Sequence, residues 1–271
     1  MLLELLTCKL TLESVLVLDN GIFLPILTET LENKDWLEGQ TKQDCESKAF
    51  RRLAKKLYKI FGKGKVTLIA DGLYACGSVI KKCKEYQWEY MITLKDGAIP
   101  DVWREATGLM WLEPSNSLCV NWGDRQQNYL WANDIEYEYG INSRYTEMLH
   151  VVICYETWTE SHSRSMGNLE EMMTRYAWIS SRSLNSKNVF TRCTKMTRYR
   201  WKIENNFLIE KHEGYNFEHC YSYNWQAMKG FHYLMKVGHF LNAMAVNSEI
   251  LIEYVKETGI RGFISELTLA L

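Results

Sequence analysis

Proline is scarce, at three in 271 residues, which excludes proline-rich linkers and extended polyproline segments. Charge imbalance is lacking too: 32 Lys+Arg against 33 Asp+Glu leave a net charge of −1. An anionic partner such as nucleic acid would therefore have to meet a local basic face. The eight cysteines never form a C-x-x-C pair, which removes the common zinc-site spacings and leaves free thiols of a reducing cytoplasm. His212/His219 and His232/His239 are separated like helix-packing residues, and nothing near them reads as a metal set. No apolar run reaches membrane-span length. The apolar start has no basic leader and is interrupted by Glu4, Lys9 and Glu13, unlike a secretory signal. These absences predict a soluble, intracellular chain with no membrane partner, and no internal repeat or low-complexity tract divides it.

What is present is apolar and aromatic: 46% hydrophobic residues, ten tryptophans and sixteen tyrosines. A chain of this size can bury a sizeable core. The aromatics serve first as core, and secondarily as platforms on which bases could stack. Residues 8–18 and 21–28 are β-rich runs separated by Asp19-Asn20-Gly21, a strong hairpin signal. A chain that opens directly in a hairpin, with no element before it, reads as the middle of a domain. Residues 41–61 have the pattern of an amphipathic helix, with Phe50, Leu53, Leu57 and Phe61 on one face. Arg51, Arg52, Lys55, Lys56 and Lys59 lie opposite, a solvated or DNA-facing surface.

Val66–Ala70 then reads as a buried strand ending in Asp71-Gly72-Leu73-Tyr74, followed by a helix near 75–86 and a strand at Tyr90–Leu94. Strand, helix and strand in alternation predict an α/β core. A carboxylate just past the C-terminal end of such a strand is where open α/β sheets place their sites. From about 108 to 181 the sequence turns strand-like and aromatic, which predicts a β-rich insertion. Residues 185–212 return to helix, and 225–246 form a last amphipathic one. The expected organisation is a first part of the core at 1–107, the insertion at 108–181, and a helical part at 182–271.

The chemistry-bearing stretch is Arg200-Trp201-Lys202-Ile203-Glu204, followed by Lys211. On a helix at about 100° per residue, Glu204 and Lys211 fall within about 40° of Arg200. An acid flanked by two cations thus shares one face. Hard carboxylate oxygens suit magnesium, and Asp71 with Glu204 is the best pair in the chain. From spacing alone, Asp71 before Gly72 could be turn chemistry, and Arg200–Glu204 a surface ion pair.

Three runs go further. Lys42-Gln43-Asp44-Cys45-Glu46, Ala49-Phe50-Arg51-Arg52-Leu53 and Ala70-Asp71-Gly72-Leu73-Tyr74-Ala75 resemble the core of bacterial insertion-sequence transposases of the DDE type. Arg198-Tyr199-Arg200-Trp201-Lys202-Ile203-Glu204-Asn205 and Gly214-Tyr215-Asn216-Phe217-Glu218-His219 resemble their C-terminal block. The similarity spans about residues 8–246. It implies an RNase H-like mixed sheet flanked by helices and interrupted by a β-rich insertion. It also implies Mg²⁺- (or Mn²⁺-) dependent cleavage and strand transfer of double-stranded DNA, at a two-metal site in the complete family member.

Carried over by position, Asp71 in D-x-x-Y would be the second catalytic acid and metal ligand, and Glu204 the third. In the pattern Y-x-x-R-x-x-x-E-x-x-x-x-x-x-K, Arg200, Glu204 and Lys211 match. Arg200, Lys211, Tyr74 and Arg198 are then the expected DNA contacts. Thr197 stands where the pattern has Tyr. The resemblance puts the first acid on a strand before the hairpin, hence upstream of Met1, and the DNA-end recognition region would be missing too. Asp19 does not replace that acid, because hairpin-turn chemistry explains it. The implied protein is a transposase working as a homo-oligomer on DNA in the bacterial cytoplasm, at the nucleoid, and inactive as this short chain. The alternative is a non-catalytic remnant that binds DNA or a full-length transposase.

Overall fold

A computed structural model describes residues 2–8, 11–18, 22–31, 45–161, 169–199, 208–212, 214–217 and 221–270. The chain divides into two compact units, Met1–Gly62 with Tyr199–Leu271, and Lys63–Arg198.

The first unit is built on a three-stranded antiparallel sheet, β1 (Leu2–Cys8), β2 (Thr11–Val17) and β3 (Phe23–Thr30). The runs on either side of Asp19-Asn20-Gly21 pair antiparallel as β2–β3, with a register shift between Ser14 and Val15, and residues 19–21 themselves lie outside the described residues. One expectation is corrected here: the chain does not open in that hairpin. β1 precedes it and pairs with β2 along its whole length, from Leu2↔Val17 to Cys8↔Thr11. The alternation that would have revealed β1 is hidden in a nearly continuous leucine run, a pattern periodicity alone cannot assign.

Helix α1 (Glu46–Phe61) buries Ala49, Phe50, Leu53, Ala54 and Leu57 and packs on β2 and β3. It starts later than the sequence pattern suggests; 41–44 lie outside the described residues. Its basic face is divided. Arg52 Nε and Lys56 Nζ reach Glu29 at 2.5 and 2.6 Å, while Arg51, Lys55 and Lys59 are exposed. Gly62, at φ 78°, ends the helix by donating its N–H to the Tyr58 carbonyl at 2.9 Å.

The second unit carries a six-stranded mixed sheet flanked by helices. Its order is β4 (Thr67–Ala70), β5 (Glu89–Thr93), β9 (Leu169–Ser180), β8 (Tyr145–Ser161), β7 (Arg125–Tyr139), β6 (Ser117–Trp122). β4 and β5 are parallel, joined through α2 (Gly77–Tyr86), and every other pairing in it is antiparallel. The aromatic strands of 108–181 therefore extend the sheet begun by β4 and β5, through β5–β9 pairing at Met91↔Ser180 to Thr93↔Trp178. A bulge in β7 between Ala132 and Ile135 takes Asp134 to φ 57°.

Helix α3 (Pro100–Leu112) was not anticipated, although Pro100 at its start and Asp101 in its first turn are ordinary helix-entry signals. Of the expected helix at 185–212, the described residues 185–199 hold a π-helical turn, Thr191–Met196, and 208–212 are helical, while 200–207 lie outside the described residues. Two helices close the first unit, α4 (Trp225–Val246) and α5 (Ile252–Ala270). Asn224 caps α4 by accepting from the N–H groups of Gln226 and Ala227 at 3.0 and 3.1 Å, and α4 packs on β3. Among the described residues, no helix is long and apolar enough to cross a membrane.

Candidate functional site

Asp71 stands where the sequence reading puts it, one residue past the C-terminal end of β4. The buried run Leu68-Ile69-Ala70 anchors the strand. The chain then leaves it through a single 3₁₀ turn, Gly72–Tyr74, closed by the Tyr74 N–H to the Asp71 carbonyl at 2.9 Å. Because β5 runs parallel, its own end lies alongside, and Lys95 Nζ meets Asp71 Oδ2 at 2.8 Å. Gly72 makes room for that approach: a Cβ there would lie 2.7 Å from Lys95 Cγ. Asp71 is 36% and Lys95 58% exposed, so solvent screens the pair to a fraction of 1 kcal/mol.

The same sheet end gathers further polar groups that sequence reasoning missed. Arg175 of β9 holds Asp96 with both oxygens, at 2.5 and 2.6 Å. Its guanidinium stands 5.6 Å from the Trp103 ring, and Trp103 Nε1 donates to the Lys95 carbonyl at 3.0 Å. A signal existed. β4 and β5 both run out into Asp-Gly, at Asp71-Gly72 and Asp96-Gly97, so two adjacent parallel strands deliver a carboxylate to one edge.

The other expected site residues are placed less uniformly. Tyr74 is 2% exposed, its ring in the core and away from solvent. Arg198 is held inside its unit by Glu156, which is fully buried and also receives Arg125 Nη1 at 2.5 Å and Gln127 Nε2 at 2.6 Å. Tyr129 donates to Gln127 Oε1 at 2.6 Å and contacts the Thr194 hydroxyl. The two guanidiniums lie against tryptophans, Arg125 at 4.3 Å from Trp158 and Arg198 at 4.2 Å from Trp122. Burial, and then the Arg125 charge, pull the Arg198 guanidinium below its ordinary range.

Thr197 is buried, and its hydroxyl donates to the Cys193 carbonyl. Arg192 ties this turn to the sheet, with bonds to Glu89 at 3.0 Å, Ser180 Oγ at 3.2 Å and the Tyr90 carbonyl at 3.4 Å. Lys211 lies in the helical segment 208–212, half-buried. Arg200, Glu204 and Asp19 lie outside the described residues.

Glu210, beside Lys211, belongs to a second charged cluster. Lys236 of α4 reaches both Glu210 and, at 2.5 Å, Glu13 of β2, while His239 Nδ1 lies 2.6 Å from Glu210 Oε1. All four are buried, and among the described residues Glu13 Oε1 has no hydrogen-bond partner. Burial pushes the Glu13 carboxyl up to about 7 against the pull of Lys236, with the Glu210 charge adding to the rise. Burial also opposes ionisation of Glu210, but the His239 hydrogen bond and the Lys236 charge outweigh it and hold Glu210 below the usual carboxylate range.

Among the described residues, no group of three or more His, Cys, Asp or Glu side chains is arranged to hold a metal. No family model matches the chain, and no curated protein matches it.

Proposed function

We propose that this chain is an insertion-sequence transposase of the DDE type, whose chemistry is phosphoryl transfer on double-stranded DNA in an RNase H-like core. The observation that carries the reading is Asp71: an accessible carboxylate just beyond a buried strand, next to a second parallel strand end. An antiparallel β1–β2–β3 meander, a helix, and then a parallel β4–α2–β5 unit are compatible with such a core.

Mg²⁺ fits Asp71 chemically. The oxygens are hard donors, and the weak, solvent-screened Lys95 contact costs little to give up. Asp71 and Glu204 would hold the metal, which when bound supplies Lewis-acid polarisation of the phosphodiester. Arg200 and Lys211 would neutralise phosphate, which gives affinity without sequence information. The strand on which the resemblance places the first acid corresponds to β1, whose one carboxylate is Glu4. That position, rather than one upstream of Met1, is the first to test.

The test is nicking of supercoiled DNA by the full chain in Mg²⁺ against a chelator, with Asp71→Ala, Glu204→Ala and Glu4→Gln beside it. The expected result is metal-dependent nicking that Asp71→Ala lowers at least about a hundredfold, roughly 3 kcal/mol of transition-state stabilisation. Nicking and DNA affinity both unchanged in Asp71→Ala would sink the assignment. A second reading, a remnant that binds DNA without cutting it, is favoured by the Lys95 ammonium seated on Asp71. It requires salt-dependent binding and no nicking.

A further inference from the structure

The charged groups at the ends of β4 and β5 are sorted into two pairs. Arg175 takes Asp96 through both carboxylate oxygens, at 2.5 and 2.6 Å. Lys95, one residue earlier in the chain, sends its ammonium to Asp71 Oδ2 instead, at 2.8 Å. Two contacts fix the route of that lysine. Its carbonyl accepts from Trp103 Nε1 at 3.0 Å, which holds the backbone. Its stem then lies across residue 72, where a Cβ would come within 2.7, 2.9 and 3.1 Å of Cγ, Cδ and Cε. Glycine leaves that path open because it has no side chain to obstruct it. An exposed lysine ordinarily loses much side-chain freedom in holding one geometry; here the stem is already confined.

We propose that Lys95 is a placeholder for the metal at Asp71. Its ammonium occupies the carboxylate of the metal-free chain and must leave before a divalent cation binds there. The proposal rests on the reading of Asp71 as a metal ligand, and it adds a control on when that ligand is available. The ammonium is a compact point charge on a flexible stem, and it meets the same hard oxygen that Mg²⁺ would take. Asp71 is 36% and Lys95 58% exposed, so the ammonium can swing into water without repacking of the core. The ion pair itself is weak. The larger effect is that Lys95, released but still tethered beside Asp71, repels a divalent cation. The lysine thus raises the metal concentration at which the site fills. The competing account is an incidental surface pair, whose loss changes metal affinity no more than loss of any other surface cation.

The test is titration of the metal-free full chain with Mn²⁺ alone, bound ion being read by electron paramagnetic resonance. Lys95→Met removes the charge and keeps the length of the side chain. Gly72→Ala keeps the charge, but its Cβ pushes the stem off its path. Lys84→Met, at an exposed lysine paired with Glu147, removes one charge elsewhere. Asp71→Asn in each background identifies the site, and circular dichroism checks the fold. The expected result is Mn²⁺ affinity about tenfold tighter in Lys95→Met and at least about threefold tighter in Gly72→Ala. Lys84→Met should match the wild type, and Asp71→Asn should abolish the gain.

Affinity within about twofold of the wild type in Lys95→Met overturns the proposal, as does an equal gain in Lys84→Met or a gain that survives Asp71→Asn. So does the absence of any Mn²⁺ site in the wild type and Lys95→Met alike. Should Gly72→Ala lose its fold, Lys95→Met decides under the same criteria. Failure of the transposase reading looks different. Tighter Mn²⁺ binding at Asp71 without nicking by any variant keeps the placeholder and removes the DNA chemistry. Nicking that Asp71→Ala abolishes, with Mn²⁺ affinity indifferent to Lys95, does the reverse.

Discussion

Glu156 shows how much one side chain can organise. A fully buried carboxylate is costly unless paired, and here two guanidiniums and an amide surround it. Removing it would strand Arg125 and Arg198 near the interior. Glu156→Ala should cost about 3–5 kcal/mol, the loss that follows when one partner of a buried ion pair is deleted. Chemical denaturation of the variant measures it, and a loss under about 1 kcal/mol would mean that the guanidiniums find water instead. Gln127 and Glu156 look like surface residues in a β-strand sequence, and only the pairing of β7 with β8 at Gln127↔Glu156 reveals them as partners. Asp71 was the opposite case: its position after an apolar β-branched run was enough to find it.

Elements are joined in the first unit by buried charge as well as by apolar packing. Glu13 on β2, Glu210 on the 208–212 segment and Lys236 on α4 meet at one point. Two carboxylates share a single ammonium there, with His239 alongside, so the cluster favours one added proton. Glu13 is the group that takes it. Its folded-state pKa of about 7 lies above the ordinary 4.5, so its contribution to stability is full below pH 4.5 and is lost as pH rises through about 7. Glu210 has the opposite sign, its contribution being present above the ordinary carboxylate range and lost on acidification. Thermal unfolding should therefore show stability declining between pH 5 and 8 in the wild type, and declining less in Glu13→Gln. Equal slopes in the two proteins would remove Glu13 from the cause. Periodicity located α1, α2 and α4 because each has a long apolar face. It missed β1, and it overstated helix in 185–199, where the described chain instead takes a π-helical turn held by Arg192.

For the whole molecule, a net charge of −1 means that affinity for DNA must come from a few local cations. In the proposed reading, Lys211 is one of them. The logarithm of DNA affinity should fall linearly with the logarithm of salt, and Lys211→Ala should reduce that slope by about one unit. An unchanged slope, measured by fluorescence anisotropy over a salt series, would take Lys211 out of the interface.

Residue order alone determined that the chain is α/β, that the runs on either side of Asn-Gly pair as antiparallel strands, and that Asp71 ends a buried strand. Those are local properties, set by side-chain periodicity and turn chemistry within a few residues. Tertiary structure decided the rest. It made β6–β9 a continuation of the β4–β5 sheet, put Lys95 on Asp71, and withdrew Tyr74 and Arg198 into packed surroundings. Each of these depends on which distant strands pair and which face of a helix is covered, and such choices are settled by long-range burial that no short window of sequence contains.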